Sequence, residues 1–306
     1  TQIAASILTS ILVGALTRGA ARTYSLLALS VLAVYWFQPV LPLRSFDFWL
    51  PSLSLAFVVL TWFLTSQPAA WKSRQNIAGL LIIIGVVTLV DFSRYIFPES
   101  ILTGTTPPQF IQYFIFLSAI ALAVLLFTSL SRRFAWTLSL LTILLLSILV
   151  ILKAPQLSLQ ASILFRTLTA RPTETASALD LRWLGFSYIA FRLIHVLRDK
   201  QTGRLPELSL PEFGTYVVFF PSLVAGPIDR AERFAKDLRQ TDFALTQAEA
   251  LSAGQRIVVG LFKKFVIADA LALVALNDSL AAQVNSAGWM WIHLYAYAFQ
   301  IYFDFS

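Results

Sequence analysis

The sequence predicts an all-α fold, a polytopic transmembrane helical bundle with re-entrant or broken helices in its C-terminal half. Three observations predict it. Of the 306 residues, 58% are hydrophobic and 13% charged, whereas soluble domains carry about 25% charged residues. The apolar residues come in long runs, at 77–90, 110–130 and 134–152, which approach or exceed the ~20 residues that cross a bilayer as helix. Those runs are continuous and do not alternate with polar residues as barrel strands do. Helices and closed barrels are the only spanning structures, because backbone groups find no water in the bilayer core.

Helices are expected near 3–17, 25–41, 49–65, 77–97, 110–130 and 134–152. The loops between them alternate in charge. Arg18 and Arg22 follow the first helix, Lys72 and Arg74 the third, and Arg132 and Arg133 the fifth. The other loops hold Arg44 with Asp47, then Glu99 with Pro107 and Pro108. Six basic residues against one form a positive-inside pattern, which places the N-terminal end outside the cytoplasm. Residues 154–180 read as an extracytoplasmic loop with an interfacial helix.

Beyond Lys153 the chain changes character. Residues 1–150 hold eight Lys/Arg and three Asp/Glu, and residues 151–306 hold fifteen and thirteen. Charge at membrane depth usually faces a cavity or a protein interior. Residues 1–152 are therefore expected to be scaffold, and 153–306 to carry the chemistry. The chain opens on Thr1, its one methionine is Met290, and it stops inside the aromatic run ending at Ser306. A piece of a longer protein is the expectation.

Absent cysteine excludes disulfides and thiolate chemistry, and two histidines, His195 and His293, argue against a multi-histidine metal centre. The net charge of +7 reads as loop anchoring at a membrane, with no nucleic-acid partner.

Four segments carry polar groups among apolar ones. In residues 182–199, a helix would align Gly185, Tyr188, Arg192, His195 and Asp199 in one stripe. That stripe either faces a polar cavity, with His195 beside Arg192 and Asp199, or ends at a cytoplasmic boundary marked by Arg198, Asp199 and Lys200. In residues 216–233, Pro221, Gly226 and Pro227 break any helix. Asp229, Arg230, Glu232 and Arg233 follow, as a mutual Asp/Arg pairing or a helix N-cap by Asp229, or as a substrate entrance. In residues 254–276, Lys263 and Lys264 interrupt an apolar helix ahead of Asp269, either to hold an anionic donor or to snorkel. In residues 293–306, Asp304 stands in an otherwise uncharged stretch, a functional candidate or the partner of a neighbouring cation.

The order of these segments resembles a family. Phe219-Phe220-Pro221-Ser222-Leu223-Val224-Ala225-Gly226-Pro227-Ile228-Asp229-Arg230, then Arg233-Phe234, is similar to the signature of membrane-bound O-acyltransferases. Gly260-Leu261-Phe262-Lys263-Lys264 with Ile267-Ala268-Asp269 resembles its next segment, and Gln300-Ile301-Tyr302-Phe303-Asp304-Phe305-Ser306 the one after. Residues 185–192 are a weaker fourth. The resemblance covers roughly 180–306 and lies within the bacterial branch of alginate O-acetylation and teichoic acid D-alanyl transfer proteins. Residues 226–230 lean towards the second, and 263–269 towards the first.

The resemblance implies a multi-pass protein of the bacterial plasma membrane. It implies acyl transfer from a cytoplasmic thioester donor, acetyl-coenzyme A or an acylated carrier protein, to a hydroxyl of an extracytoplasmic polysaccharide or cell-wall glycan. No bound cofactor or metal is implied. Partners would be the lipid bilayer, the glycan, an acyl carrier protein and an extracytoplasmic protein. The implied catalytic histidine falls beyond Ser306, and neither His195 nor His293 occupies its position, so these 306 residues alone are expected to show no turnover. Pro227, Asp229, Arg230, Lys263, Lys264 and Asp304 match motif positions and are expected to line or support the substrate path. A lipid-linked-sugar flippase and a non-catalytic scaffold are the competing readings.

Overall fold

A computed structural model describes residues 9–10, 12–14, 16–96, 103, 105–131, 136–223, 228–240, 246–284 and 286–305. Every regular element among them is helical. The chain divides into two compact units, Thr1–Thr241 and Asp242–Ser306.

In the first unit, α1 (Gly19–Trp36), α2 (Phe46–Thr65), α3 (Arg74–Ile96), α4 (Phe110–Ser131) and α5 (Thr137–Lys153) follow the predicted runs. Among the described residues, α2, α3 and α4 are each long and apolar enough to cross a membrane. α1 lies earlier than expected. It starts at Gly19, whose φ of +56° a side chain rarely tolerates, and it stops before Pro39 and Pro42, neither of which donates a backbone bond. Most of the helix expected at 3–17 lies outside the described residues; of the remainder, Thr17 donates its backbone N–H to the Val13 carbonyl at 3.0 Å.

Leu27, Val31 and Tyr35 of α1, Phe48, Leu55 and Val58 of α2, and Ile83 and Val90 of α3 close the core. α4 behaves differently: Ile111, Ile115, Leu122 and Leu125 are all exposed. Such a row is a liability in water and the ordinary outer face of a helix in hydrocarbon.

α5 runs into α6 (Pro155–Leu168) through a bend of 98°. Pro155 fits the first turn of α6, where its missing N–H has no partner to lose. The expected loop at 154–180 thus opens as a helix lying across the one before it. Its return is fastened by a buried ion pair, Arg166 to Asp180 at 2.8 Å.

The rest of the unit is short helices: α7 (Phe186–Gln201), α8 (Leu210–Val217) and α9 (Ala231–Arg239). α7 is built into the core through Phe186, Ile189, Leu193, Val196 and Leu197, all buried. α8 sits hard against α3, where a Cβ on Gly79 would lie 2.8 Å from Pro211 Cγ.

Long-range hydrogen bonds sort the loops by end. At one end, Trp62 Nε1–H donates to the Leu208 carbonyl (3.0 Å), Gln67 to Glu207 (2.7 Å) and Gln201 to Ser139 (3.1 Å). At the other, Gln38 donates to the Leu184 carbonyl (3.1 Å) and Arg94 to the Pro107 carbonyl (2.8 Å). Among the described residues, loop 66–75 thereby meets 201–209 at one end, away from the contact of Gln38 with Leu184.

In the second unit, α10 (Gln247–Phe262) opens with a reciprocal cap between Thr246 and Glu249. It passes into a π-helix, Lys263–Ala268, then α11 (Asp269–Ala272), α12 (Asp278–Gln283) and α13 (Ala287–Phe305). α13 runs back along this arm: the Leu276 N–H donates to the His293 carbonyl at 3.1 Å.

Candidate functional site

The motif-bearing segments build one constellation in each unit. In the first, α8 begins at Ser209, whose hydroxyl accepts from the Glu212 N–H while the Glu212 carboxylate accepts from the Ser209 N–H. This Ser-x-x-Glu box satisfies two N-terminal donors at once. Glu212 is buried and meets the Arg239 guanidinium of α9 at 2.6 Å. Burial pushes its carboxyl up, but the bonds from Arg239 and Ser209 outweigh that and hold it below its ordinary value.

α8 ends at Val217, and Pro221 follows within a single 3₁₀ turn, Phe220–Ser222. Arg192 of α7 reaches into this break. Its Nη1 donates to the carbonyls of Tyr216 (3.2 Å) and Val217 (3.0 Å), and its Nη2 to the Ser222 carbonyl (3.1 Å) and hydroxyl (2.7 Å). The Tyr216 hydroxyl donates to the Asp229 carbonyl (2.9 Å), and the Phe220 N–H to Ser30 Oγ (3.2 Å). Gly185 has φ +78°, and a Cβ there would stand 3.2 Å from the Leu223 carbonyl oxygen.

The remaining signature residues lie nearer the surface. Asp229 Oδ1 accepts from the Arg230 N–H at 2.8 Å, and Asp229 Oδ2 lies 3.8 Å from Arg233 Nε. The N-cap of α9 is Arg230, which makes no side-chain capping bond, and not Asp229 as the cap reading expected. Pro227 and Gly226 fall outside the described residues. A polar cleft of about 730 Å³ opens at the end that gathers loops 66–75 and 201–209; Trp62, Gln75, Lys200, Glu207, Glu212 and Arg239 line it.

In the second unit, Lys264 Nζ meets Asp304 Oδ1 at 2.6 Å. These two motif residues stand forty positions apart in the sequence. Lys264, not Lys263, makes the contact, and both lysines stand at the start of the π-helix. The wider turn inserts one residue into the α register and rotates the residues C-terminal to it. His293 donates Nδ1–H to the Val274 carbonyl at 2.6 Å, so that nitrogen is spent on backbone.

The polar stripe at 185–199 divides. Arg192 is buried and His195 is exposed, so the two do not form a shared polar surface. No metal-binding cluster of His, Cys, Asp and Glu occurs among the described residues. Three contacts have no counterpart among the sequence expectations: Arg192 at the break, Arg166 with Asp180, and Glu212 with Arg239. Only the third left a signal, the Ser209-x-x-Glu212 box ahead of an apolar turn.

Residues 134–306 match the MBOAT, membrane-bound O-acyltransferase family. A teichoic acid D-alanyltransferase of Streptococcus thermophilus is 31% identical over 142 residues, 44% of this chain and 34% of that protein. One from Bacillus subtilis is 30% identical over 128 residues, 41% of this chain and 32% of its own length. A probable alginate O-acetylase of Pseudomonas syringae pv. tomato is 34% identical over 124 residues, 40% of this chain and 23% of its own. The matched stretch thus spans about a third or less of these relatives. No solved structure matches the chain.

Proposed function

The chain belongs to the membrane-bound O-acyltransferase family, and from that premise we propose that the whole protein acylates a glycan across a bacterial plasma membrane. The acyl group, acetyl or D-alanyl, comes from a cytoplasmic thioester, either acetyl-coenzyme A or an acylated carrier protein. The acceptor is a hydroxyl of an extracytoplasmic polysaccharide or cell-wall glycan. The family match over residues 134–306 carries the reading.

Chemically, the acceptor oxygen attacks the thioester carbonyl while a base takes its proton. The C–S bond breaks, an ester C–O bond replaces it, and the departing thiolate is reprotonated. A histidine is the usual base near neutral pH. We assign that role to one beyond the Asp304 segment, where the family resemblance implies it, because neither His195 nor His293 occupies that motif position. Residues 153–306 are then the first part of the catalytic core, and 1–152 its scaffold.

Asp304, Lys264 and Lys263 support the substrate path in the second unit. Pro227, Asp229 and Arg230 support it in the first. An ion pair drawn from two apolar helices fixes how they sit against each other. A lone charge on either would be costly at membrane depth.

Full-length protein in liposomes, supplied with labelled thioester inside and glycan outside, tests the reading. Label should appear on the glycan. His195→Ala and His293→Ala should retain wild-type rates, whereas Lys264→Met and Asp304→Asn should each lower turnover. The double variant should be no worse than the poorer single, as for two groups acting as one unit. Glycan crossing the membrane unacylated would make the protein a transporter.

A further inference from the structure

We propose that Arg192 is a positioning residue, whose guanidinium holds the turn from Tyr216 to Ser222 and through it the geometry of acyl transfer. Arg192 is 2% exposed, and its partners among the described residues carry no full negative charge: three carbonyls, the Ser222 hydroxyl and the Tyr216 ring, whose centroid lies 6.0 Å from the guanidinium carbon. A buried cation without a counter-ion is expensive, so the chain keeps it against a cost.

The site explains what that cost secures. Tyr216 and Val217 supply the final carbonyls of α8, which have no helical partner and carry the negative end of the helix dipole. Pro221 brings no N–H to repair the break. One planar fork meets both deficits, bridging the end of α8 to Ser222 on the far side of the turn. Guanidinium offers five donors in fixed directions, whereas a lysine ammonium offers three from a single atom. Lysine would keep the charge and lose the bridge.

Later in the signature, the Asp229 carbonyl is held by Tyr216. Tyr216 is thus fixed by Arg192 at one atom and fixes Asp229 by another. Releasing the guanidinium frees both ends of the signature, and misplacement by about 1 Å of groups around a reacting centre can cost ~10²-fold in rate.

The functional arm of the test rests on the acyl-transfer reading; the structural arm does not. Residues 1–306 contain no cysteine, so Ile228→Cys can carry a nitroxide, with any cysteine outside these residues replaced by serine. Full-length Arg192→Lys is compared with its parent by spin-label spectrum, thermal unfolding and steady-state kinetics. The nitroxide should become more mobile, with the midpoint held within about 5 °C. In the unlabelled protein kcat should fall about 10- to 100-fold, with donor KM within about twofold.

An unchanged spectrum would overturn the proposal. So would a mobile label accompanied by wild-type kcat, which would leave Arg192 as packing alone. If the parent transfers no acyl group, the functional reading fails and the spectrum still decides whether Arg192 holds the segment. Should Arg192→Lys not fold, Ser222→Ala, which removes one acceptor and leaves three carbonyls, is read in the same ways.

Discussion

Asp180 shows how much one side chain can hold where the chain turns back on itself. Burial pushes its carboxyl up, but bonds from Arg166, Ser162 and the Ser177 N–H outweigh that and hold it below its ordinary value of 3.8. A depressed carboxylate stabilises the fold fully above its unfolded pKa, and the stabilisation is lost as pH falls through the folded one. Asp180→Asn keeps the shape and removes the charge. Breaking a buried pair costs about 3–5 kcal/mol, and the lower end applies because Arg166 retains Thr175 and the Pro172 carbonyl. Thermal unfolding near neutral pH should therefore show the variant less stable by about 3 kcal/mol, with the gap closing only below pH 3.8. A gap that does not depend on pH would mean the carboxylate charge is not what stabilises the turn. Nothing in the sequence marked the pair, because residues fourteen apart in a presumed loop have no periodicity to link them.

At the scale of elements, the legible features were those that follow a period. Continuous apolar runs gave α2 to α5 to within a few residues, and the Pro221 break appeared where proline and glycine must end a helix. The π-helix was illegible, since no period or breaker residue in 254–276 marks where one residue is inserted. The close approach of α8 to α3 was equally hidden, and glycine spacing decides it. A Cβ on Gly79 meets the Pro211 ring at 2.8 Å and its backbone nitrogen at 3.2 Å, while one on Gly85, two turns along the same helix, meets nothing within 4 Å. Gly79→Ala should therefore destabilise by about 1–3 kcal/mol, the range for overpacking a rigid contact. Gly85→Ala should be neutral or stabilising by up to about 1 kcal/mol, because glycine is a poor helix former. Thermal unfolding in detergent compares the two, and equal effects would mean that α8 can move away from α3.

At the largest scale, the first unit sorts its described loops into two groups that can be set beside the sidedness expected from charge. Charge alternation put Lys72, Arg74, Arg132 and Arg133 on one side of the bilayer and residues 42–47 and 99–108 on the other. Hydrogen bonds then tie 66–75 to 201–209 at one end of the first unit, and 38–47 to 103–109 and 171–184 at the other. Lys200 and Arg204 thereby join Lys72 and Arg74 at the end where the polar cleft opens. Basic residues in short loops favour the cytoplasm, so that cleft is expected to face the cytoplasm, the side from which the proposed thioester would arrive. With no native cysteine in residues 1–306, single substitutions report sidedness directly. In intact cells carrying the full-length protein, with other cysteines replaced, an impermeant maleimide should label Thr106→Cys and Thr173→Cys. It should spare Ser73→Cys and Thr202→Cys until the membrane is opened. The reverse pattern would invert the orientation and turn the cleft towards the acceptor. Labelling of Ser73→Cys and Thr202→Cys from opposite sides would contradict the fold, because Gln67 with Glu207 and Gln75 with Ser209 hold those two loops together.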